Sequence, residues 1–459
     1  MKLTFWGAAE TVTGSRILFE HNHFRGLVDC GLFQGPRPQR DMNWSDQPAL
    51  MTADCVILTH VHIDHCGYLP RLFRQGFRKP IYCSRASADL LPIMLLDAAK
   101  LQEEDARFAN RVKHSHYDPA LPLFDEGDAL KCIEQIRGVD WDHWAQLSPD
   151  VSFRFIRSGH ILGSGYAQLG FKDGGQPQTL TFSGDIGGPS PLLLREPVAV
   201  TETDYLVVES TYGDRNINRE SIDVAFAEII NKVIGRGGTL IIPSFAVGRT
   251  QDLVYLIAKL QREKKIGHVP LYLDSPMAHR VSEVYLKNLD EVKDGLGHDY
   301  IRDSLSESVQ KPILTPDESM LLCMSTEPKI VISASGMLQG GRVLHHLSAK
   351  LPDPKSGVLF VGYQSAGTKG RLLRGGLLSI RIHHQEITVE AEIFALDGLS
   401  AHADSDELIR WCSTIKTAPK MTLVDHGEPP SITALKARIE NELHWPNVVV
   451  PKLGETITL

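Results

Sequence analysis

Short apolar runs, each ended by polar or turn-forming residues, dominate the chain up to about residue 210. Runs of this length bounded by Gly, Asn and Asp are typical of β-strands. The pattern predicts strands over residues 2–6, 15–20, 25–29, 56–59, 151–158, 167–171, 179–183 and 205–209. Between the two groups of strands, residues 87–112 are rich in Ala, Leu, Asp and Glu and predict a long helix.

After residue 210 the pattern of hydrophobic residues changes from short strands to alternating helices and strands. Helices are predicted over residues 221–234 and 250–261, and buried strands over 239–243, 270–273, 329–333 and 357–362. Alternating helices and buried strands are typical of a parallel sheet. From about residue 387 the sequence again has the pattern of β-strands. We therefore predict an α/β fold in which one domain, residues 1–209 and 387–459, is interrupted by an inserted α/β domain over residues 210–386.

Composition narrows the class of protein. At 459 residues the chain exceeds one ordinary core, and 42% hydrophobic with 23% charged residues is typical of a soluble globular protein. The formal charge of -8 does not suggest a basic nucleic-acid-binding face, but it says little about a site whose field comes from metal ions. Seven scattered cysteines, the lack of a signal-peptide core and the lack of a membrane-spanning run predict a cytoplasmic location without membrane contact.

Potential metal ligands cluster at the end of one predicted strand. His60, His62, Asp64 and His65 directly follow the apolar run at residues 55–58. His60 and His62 alternate in an extended segment, so both can bind one ion, whereas Asp64 and His65 fall past the turn and suit a second ion. Imidazole and carboxylate ligands without thiolates indicate a catalytic site for a cation such as zinc.

Three other predicted strands also end in polar residues. His160, Asp185 and His426 each follow an apolar run. A rigid sheet holds residues at its strand ends in position, as a metal site requires. Taken singly, each is weak evidence, because a lone histidine at a strand end is more often a structural, hydrogen-bonded residue. Taken with residues 60–65, they complete the ligand set of a two-metal centre.

These segments resemble the successive motifs of the metallo-β-lactamase fold, with Asp29 in the first motif, residues 60–65 in the second, and His160 and Asp185 in the following two. Other segments resemble the β-CASP branch of nucleases. Glu209 is similar to its motif A, His402 to motif B and His426 to motif C, and residues 243–249, 274–277, 333–337 and 362–364 also resemble that branch. The resemblance spans essentially the whole chain and implies an αββα metallo-β-lactamase sandwich with an inserted α/β β-CASP domain.

The resemblance implies two zinc ions per chain. One would be held by His60, His62 and His160, the other by Asp64, His65 and His426, with Asp185 bridging them and Asp29 orienting a ligand histidine. In this family, DNA-repair members usually carry Val at the motif C position and RNA-processing members carry His. His426 therefore favours RNA as the substrate, and single-stranded RNA is the expected partner.

The expected activity is that of a zinc-dependent ribonuclease, of endonucleolytic or 5′-to-3′ exonucleolytic mode. A hydroxide bridging the two ions would attack an RNA phosphodiester in line and leave 5′-phosphate and 3′-hydroxyl ends. The leaving oxygen needs a proton, and His402 is the predicted general acid. Glu209 would accept a hydrogen bond from its other ring nitrogen. Asp64 and Asp185 are the catalytic carboxylates at the metals.

Further substrate contacts are predicted in the inserted domain. Residues 333–337 follow a buried strand and are predicted to open a helix, whose unpaired N–H groups would suit a phosphate, so Ser333, Ser335 and Gly336 are candidates. An ordinary strand-to-helix turn with a capping serine explains them equally well. Arg249 is a candidate contact to the RNA backbone. The neighbouring pairs His345-His346 and His383-His384 are not assigned to metal, because adjacent side chains diverge.

Several alternatives stay open at this point. A DNA nuclease of the same family is the nearest in chemistry, and a hydrolase of small esters or thioesters is possible on the same fold. Glu209, His402 and the inserted domain argue against a small substrate. A non-catalytic RNA-binding subunit is disfavoured by the intact ligand set. A homodimer is compatible with the sequence.

Overall fold

The computed structural model describes residues 1–112, 118–306, 313–362, 364 and 367–459, so that Tyr363, in one of the family-like stretches, lies outside the described residues. The chain divides into two compact units. The first unit comprises Met1–Pro189, Glu196–Asn216 and His402–Leu459, and the second comprises Ser190–Arg195 and Ile217–Ala401.

The first unit contains two seven-stranded sheets. The first sheet has the order β21-β1-β2-β3-β4-β5-β6, with β1 (Lys2–Phe5), β2 (Ile17–His21), β3 (Phe24–Val28), β4 (Cys55–Ile57), β5 (Ile81–Ser84), β6 (Ile136–Val139) and β21 (Thr456–Thr458). The second has the order β20-β19-β11-β10-β9-β8-β7, with β7 (Ala145–Ser148), β8 (Val151–Arg157), β9 (Gly165–Asp173), β10 (Gln176–Phe182), β11 (Tyr205–Glu209), β19 (Met421–Asp425) and β20 (Val448–Val449).

Helices cover the outer faces of these sheets. The helices of the first unit are α1 (Arg37–Asp41), α2 (Ile63–Cys66), α3 (Leu69–Arg74), α4 (Arg85–Val112), α5 (Glu126–Ile133), α13 (Ser405–Cys412) and α14 (Pro429–Glu442). The long helix α4 packs on β5 and β6, and α14 packs on β19 and β20. Between the sheets lies an apolar core that includes Phe5, Phe19, Phe153 and Phe155. This is the αββα sandwich that the resemblance to the metallo-β-lactamase fold implies.

Side chains on opposite faces of β8 belong to two different cores of the first unit. Val151, Phe153 and Phe155 are buried in the core between the sheets, whereas Arg154 is half-buried between them in sequence. Ile156 joins a second core that α13 and α14 cover, together with Tyr166 and Trp411. Side chains two apart on a strand share a face, so the period of the sequence assigns the two faces of the sheet.

The second unit is built on a five-stranded parallel sheet with the order β13-β14-β12-β15-β18. Its strands are β12 (Thr239–Pro243), β13 (Leu271–Asp274), β14 (Lys329–Ser333), β15 (Gly357–Phe360) and β18 (Glu392–Ala395), with a hairpin of β16 (Ser379–Ile382) and β17 (Gln385–Thr388). Its helices are α6 (Ile222–Gly235), α7 (Arg249–Arg262), α8 (Pro276–Lys287), α9 (His298–Ser306), α10 (Pro316–Met324), α11 (Val343–Lys350) and α12 (Lys369–Arg374). The predicted inserted α/β architecture is confirmed.

Two details differ from the sequence-based expectations. Strand β18 pairs in parallel with β15, so the second unit continues to Ala401, although the sequence pattern places the return to the first domain at residue 387. The predicted boundaries at 209/210 and 386/387 stay predictions. The helix expected to open at residues 333–337 begins instead at Val343, because residues 334–342 form turns.

Two further observations concern the chain as a whole. All seven cysteines are buried and carry free thiols. Burial raises the thiol pKa to about 12 for Cys30, Cys55, Cys83 and Cys412. No helix among the described residues is long and apolar enough to cross a bilayer.

Candidate metal centre

The predicted ligands of the first unit lie where its strands end. Asp29 follows β3, His60 and His62 follow β4, His160 follows β8, Asp185 follows β10, Glu209 closes β11 and His426 follows β19. Strands β3 and β4 run parallel in one sheet, and β10, β11 and β19 run parallel in the other. Parallel strands finish at the same edge of a sheet, so side chains distant in sequence come together there.

Backbone hydrogen bonds fix the turn that carries Asp64 and His65. The Ser15 N–H donates to the Asp64 carbonyl at 2.8 Å, and the Cys30 N–H donates to the His65 carbonyl at 2.7 Å. Gly31 lies so close that a Cβ atom at this position would be 1.6 Å from the Asp64 carbonyl oxygen. Glycine is therefore required at position 31 for the turn to approach the first sheet.

One group of ligand atoms gathers around His62. Its Nδ1 lies 3.2 Å from His60 Nε2 and 3.2 Å from His160 Nε2. The Oδ2 atom of Asp185 lies 3.3 Å from His60 Nε2 and 3.4 Å from His160 Nε2. All four atoms lie within 4.8 Å of one another.

A second group shares the same aspartate. The Nε2 atoms of His65 and His426 lie 3.1 Å apart, and Asp64 Oδ2 is 3.7 Å from His426 Nε2. The other carboxylate oxygen of Asp185, Oδ1, lies 3.4 Å from His65 Nε2 and 3.6 Å from His426 Nδ1. Asp185 therefore presents one oxygen to each group.

These atoms fit cations better than they fit one another. Tetrahedral bonds of about 2.0–2.1 Å place neighbouring ligand atoms roughly 3.3 Å apart, which matches the separations around His62. A single proton on one ring nitrogen cannot form hydrogen bonds to all of the other ring nitrogens around it. Asp185 Oδ1 is buried and accepts no hydrogen bond from the described residues. A buried carboxylate oxygen without a donor is costly unless a cation compensates it.

The electrostatics divide the histidines into two sets. Burial lowers the pKa of His60, His62 and His160, which favours the neutral imidazole that can bind a cation. Burial opposes the charge of His65 and His426 as well, but their carboxylate neighbours together outweigh it. Asp185 and Asp29 raise the pKa of His65. Asp185 and Asp64 raise the pKa of His426 to about 9. Burial opposes the charge of Asp64 and Asp185 too, but histidine neighbours lower their pKa, so both are carboxylates.

Asp29 holds one of the ligand histidines from behind. Its Oδ2 lies 2.7 Å from His65 Nδ1, and its Oδ1 accepts a 2.8 Å hydrogen bond from the Thr59 N–H. The Thr59 hydroxyl donates to the same carboxylate and lies 3.1 Å from His60 Nδ1. A carboxylate in this position fixes the orientation of the ring and turns its other nitrogen towards the metal.

His402 lies beside the ligand cluster. Its Nδ1 is 3.4 Å from Glu209 Oε1, its Nε2 is 3.9 Å from Asp185 Oδ2, and its ring lies 4.4 Å from that of His160. Glu209 is itself fixed, because Oε1 accepts a 2.6 Å hydrogen bond from the Ile186 N–H. Burial opposes the charge of His402, but Glu209 and Asp185 outweigh it and raise its pKa.

The predicted substrate contacts lie in the second unit. Ser333 ends β14 and donates its hydroxyl to the Asp274 carbonyl at 2.9 Å, and the Ser335 hydroxyl accepts from the Gln339 N–H at 3.3 Å. The Gly336 carbonyl accepts from Gln364. Arg249 is buried and donates to Asp252 at 3.3 Å. Because α11 begins at Val343, residues 333–337 do not open a helix and offer no helix N-terminus to a phosphate. Their role in substrate binding stays a prediction.

Three residues that support the site are not among those singled out from the sequence. Thr59 connects Asp29 with His60, and its place directly before the histidine cluster was an available signal. Tyr212 packs edge-on against His402 within a stretch already assigned to motif A. Arg16 is fully buried between Phe33 and Tyr68 and donates from Nε to the Gly31 carbonyl at 2.8 Å. The sequence around Arg16 gives no indication of this role.

Comparison with known families supports what the geometry indicates. The model of the metallo-β-lactamase superfamily matches residues 17–211, that of the β-CASP domain residues 250–373, and that of the Zn-dependent metallo-hydrolase RNA specificity domain residues 386–451. A crystal structure of a protein of unknown function from Enterococcus faecalis V583 covers 100% of this chain and 99% of its own, with a TM-score of 0.56 at 14% identity. That likeness concerns the fold. The fold and site thus define a metal-binding hydrolase on the metallo-β-lactamase fold.

Curated relatives narrow the class further. Ribonuclease TTHA0252 of Thermus thermophilus is 33% identical over 462 residues, and the alignment covers 100% of this chain and 100% of the relative. An RNase J-like protein of Methanocaldococcus jannaschii is 31% identical, covering 93% of this chain and 92% of the relative. Transcription termination factor FttA of the same organism is 29% identical, covering 93% and 67%. The chain belongs to the β-CASP family of metallo-β-lactamase-fold, metal-dependent hydrolases.

Proposed function

We propose that this protein is a zinc-dependent ribonuclease that hydrolyses single-stranded RNA with two metal ions and leaves 5′-phosphate and 3′-hydroxyl ends. The observation that carries the proposal is the pair of ligand groups joined by Asp185, beside which His402 and Glu209 lie. RNA as substrate is supported by the relatives named as ribonucleases and by the match to an RNA specificity domain.

The residues for two ions are His60, His62 and His160 on one side and Asp64, His65 and His426 on the other, with Asp185 facing both. Bound divalent ions at such a site supply a water of lowered pKa and neutralise charge on a phosphoryl oxygen. The chain itself contributes rigidity. Strand ends and the hydrogen bonds at Asp29, Thr59 and Gly31 keep the ligand atoms in position without substrate.

His402 is proposed to protonate the leaving oxygen. Glu209 engages Nδ1 and favours the protonated ring, so that Nε2 carries the proton that is handed over. Glu209 cannot turn away, because the Ile186 and Thr211 N–H groups both donate to its carboxylate. A positioned acid of this kind contributes about 10²–10⁴-fold in rate. His402 thus has a role distinct from that of the metal ligands.

The test combines metal analysis with product analysis. Purified protein is assayed on 5′-labelled single-stranded RNA before chelation, after chelation and after zinc is restored. We expect cleavage to disappear and return, with two zinc ions per chain in the active form. The new ends should be 5′-phosphate and 3′-hydroxyl, read by ligation and by sequencing. Ends carrying 2′,3′-cyclic phosphate would contradict the proposed attack by water.

Substrate choice is measured in the same assay. A DNA strand of the same sequence, a chromogenic lactam and a thioester serve as competing substrates. We expect RNA to be preferred over all three. Faster hydrolysis of DNA or of the small substrates would replace the ribonuclease proposal with one of the other activities available to this fold.

A further inference from the structure

A cavity of about 220 Å³ lies within the first unit, apart from the residues of the metal centre. It is lined by Asp142, Arg154, Ile156, Gln168 and residues 198–202. Arg154 lies on β8, the strand after which His160 follows. The cavity therefore belongs to the same unit as the metal centre but uses other side chains.

A chain of hydrogen bonds holds Arg154 in place. Its Nε and Nη2 donate to Gln168 Oε1 at 2.9 and 2.7 Å. Because a guanidinium has no acceptor, the Gln168 amide must direct its oxygen to Arg154 and its nitrogen elsewhere. Gln168 Nε2 donates to the Thr181 hydroxyl, and Thr181 donates to the Thr203 hydroxyl at 2.9 Å. Gln168 is 1% exposed, so this orientation is built into the sheet.

Arg154 uses only two of its three guanidinium nitrogens in hydrogen bonds to the described residues. Among the described residues Arg154 forms no ion pair with a carboxylate, and its hydrogen bonds go to Gln168 alone. Nη1 is therefore available to a molecule in the cavity. The guanidinium carbon lies 5.0 Å from the centre of the Trp144 ring, which is 40% exposed. Trp144 is outside the residues that line the cavity and supports the guanidinium from the side, and the plane of an arginine guanidinium itself stacks on bases.

The other walls specify the chemistry of the occupant. Asp142 and Glu202 offer acceptors, Arg154 offers a donor, and Ile156, Val198 and Val200 supply apolar surface. A phosphate would be repelled by the two carboxylates. A nucleobase has apolar faces and carries both donors and acceptors on its edge, so it complements every wall.

We propose that this cavity binds a nucleobase of single-stranded RNA, with Arg154 contacting the base and Trp144 holding the Arg154 guanidinium in position. The inference takes its substrate class from the proposed ribonuclease function. It adds a second RNA contact that would increase affinity for longer strands without touching the reacting phosphodiester. Recognition by a base contact also explains how a chain of charge -8 could bind RNA with few phosphate contacts.

The first test measures binding of the four uncharged nucleosides by calorimetry. We expect at least one nucleoside to bind, with little change between 50 and 200 mM salt, roughly the range over which phosphate contacts lose affinity. Arg154→Met and Trp144→Ala should each weaken this binding about 5- to 100-fold. Competition by inorganic phosphate in place of nucleosides would overturn the assignment.

The matched control is Arg157→Met. Arg157 is also on β8 and lies 5.0 Å from the Trp141 ring, but it is not among the residues that line the cavity. It should bind nucleosides like the wild type. Thermal unfolding is recorded for every variant. Trp144→Ala leaves the Arg154–Gln168 hydrogen bonds in place, so it tests the site even if Arg154→Met fails to fold.

The second test separates this inference from the ribonuclease proposal. On long RNA, Arg154→Met and Trp144→Ala should raise KM and leave kcat unchanged. Wild-type cleavage with no effect of either variant on KM would overturn the cavity assignment while the ribonuclease function stands. Wild-type protein that cleaves no RNA but binds nucleosides in a way that depends on Arg154 would support the cavity and reject the ribonuclease function.

Discussion

Each unit buries an aspartate at the end of a strand beside at least one histidine, but the hydrogen-bonding capacity of the two aspartates is filled to different degrees. In the second unit, Asp274 closes β13 and accepts hydrogen bonds from Arg342 at 2.8 Å, from His346 at 2.7 Å and from the Ser319 hydroxyl. In the first unit, Asp185 Oδ1 is buried and accepts none from the described residues.

The difference separates a structural cluster from a metal site. At Asp274 both carboxylate oxygens have donors, and the second ring nitrogen of His346 contacts Cys323 Sγ at 3.3 Å, so the cluster is complete within the protein. Asp185 is surrounded instead by the ring nitrogens of His60, His65 and His160. These nitrogens lie close together and carry too few protons for all of them to be paired by hydrogen bonds. Buried polar groups need partners, and a cation is the partner that suits the arrangement around Asp185.

The largest expected difference follows from removing a ligand. His60→Ala and Asp185→Asn should lose bound zinc and reduce RNA cleavage to the detection limit, because the remaining ligands cannot hold both ions. Metal content is measured by mass spectrometry on the same samples that are assayed. His346→Ala is the matched change in the second unit and should keep its zinc. Full zinc content in His60→Ala would contradict the ligand assignment.

Removing His402 tests whether the metal cluster and the proton donor are separate. We expect His402→Ala to keep both zinc ions and to lose about 10²–10⁴-fold in kcat. The readout is single-turnover cleavage together with metal content. Loss of zinc in this variant would make His402 a ligand, and full activity would remove it from the mechanism.

Removing the aspartate of the saturated cluster should affect folding. Asp274→Ala leaves the His346, Ser319 and Arg342 donors without an acceptor and should lower the free energy of unfolding by about 3–5 kcal/mol. Urea unfolding of the metal-depleted protein measures this loss. The zinc content of the folded variant should equal that of the wild type. An unchanged unfolding midpoint would show that the cluster is not structural.

The smallest expected effect is a pH dependence. Burial alone would raise the pKa of Asp274, but hydrogen bonds from His346, Ser319 and Arg342 outweigh it and lower that pKa. A lowered pKa contributes stability above the unfolded value of about 3.9, and this contribution is lost as pH falls through the folded value. The stability difference between wild type and Asp274→Asn should therefore shrink as the pH falls below about 4. A constant difference down to pH 3 would contradict this account.

Much of the fold could be predicted because the hydrophobic periods are clear. The strands at Thr239–Pro243 and Lys329–Ser333 have the predicted bounds, since each is a fully buried run between turn residues. The role of β18 could not be predicted, because its pairing with β15 joins residues remote in sequence. A strand's sequence does not state which neighbour it will find.

The site divides in the same way. Residues at strand ends with unusual chemistry, such as His60 and His160, could be singled out from the sequence. Arg16 and Gln168 could not, because each acts through a contact that only folding creates. His346 was set aside with its neighbour as an unlikely chelator, and the structure places it against Asp274. The helix predicted to open at Ser333 was wrong, since nine residues of turn intervene before Val343.

The complete burial of the cysteines has a practical consequence. Native thiols that are shielded from solvent and protonated at neutral pH react slowly with maleimides and with spin-label reagents. A single cysteine introduced at an exposed position such as Ala199 would then be modified selectively in an otherwise unaltered chain. Because Ala199 lines the cavity of about 220 Å³, a bulky tag attached there would block the proposed nucleobase site and should weaken nucleoside binding.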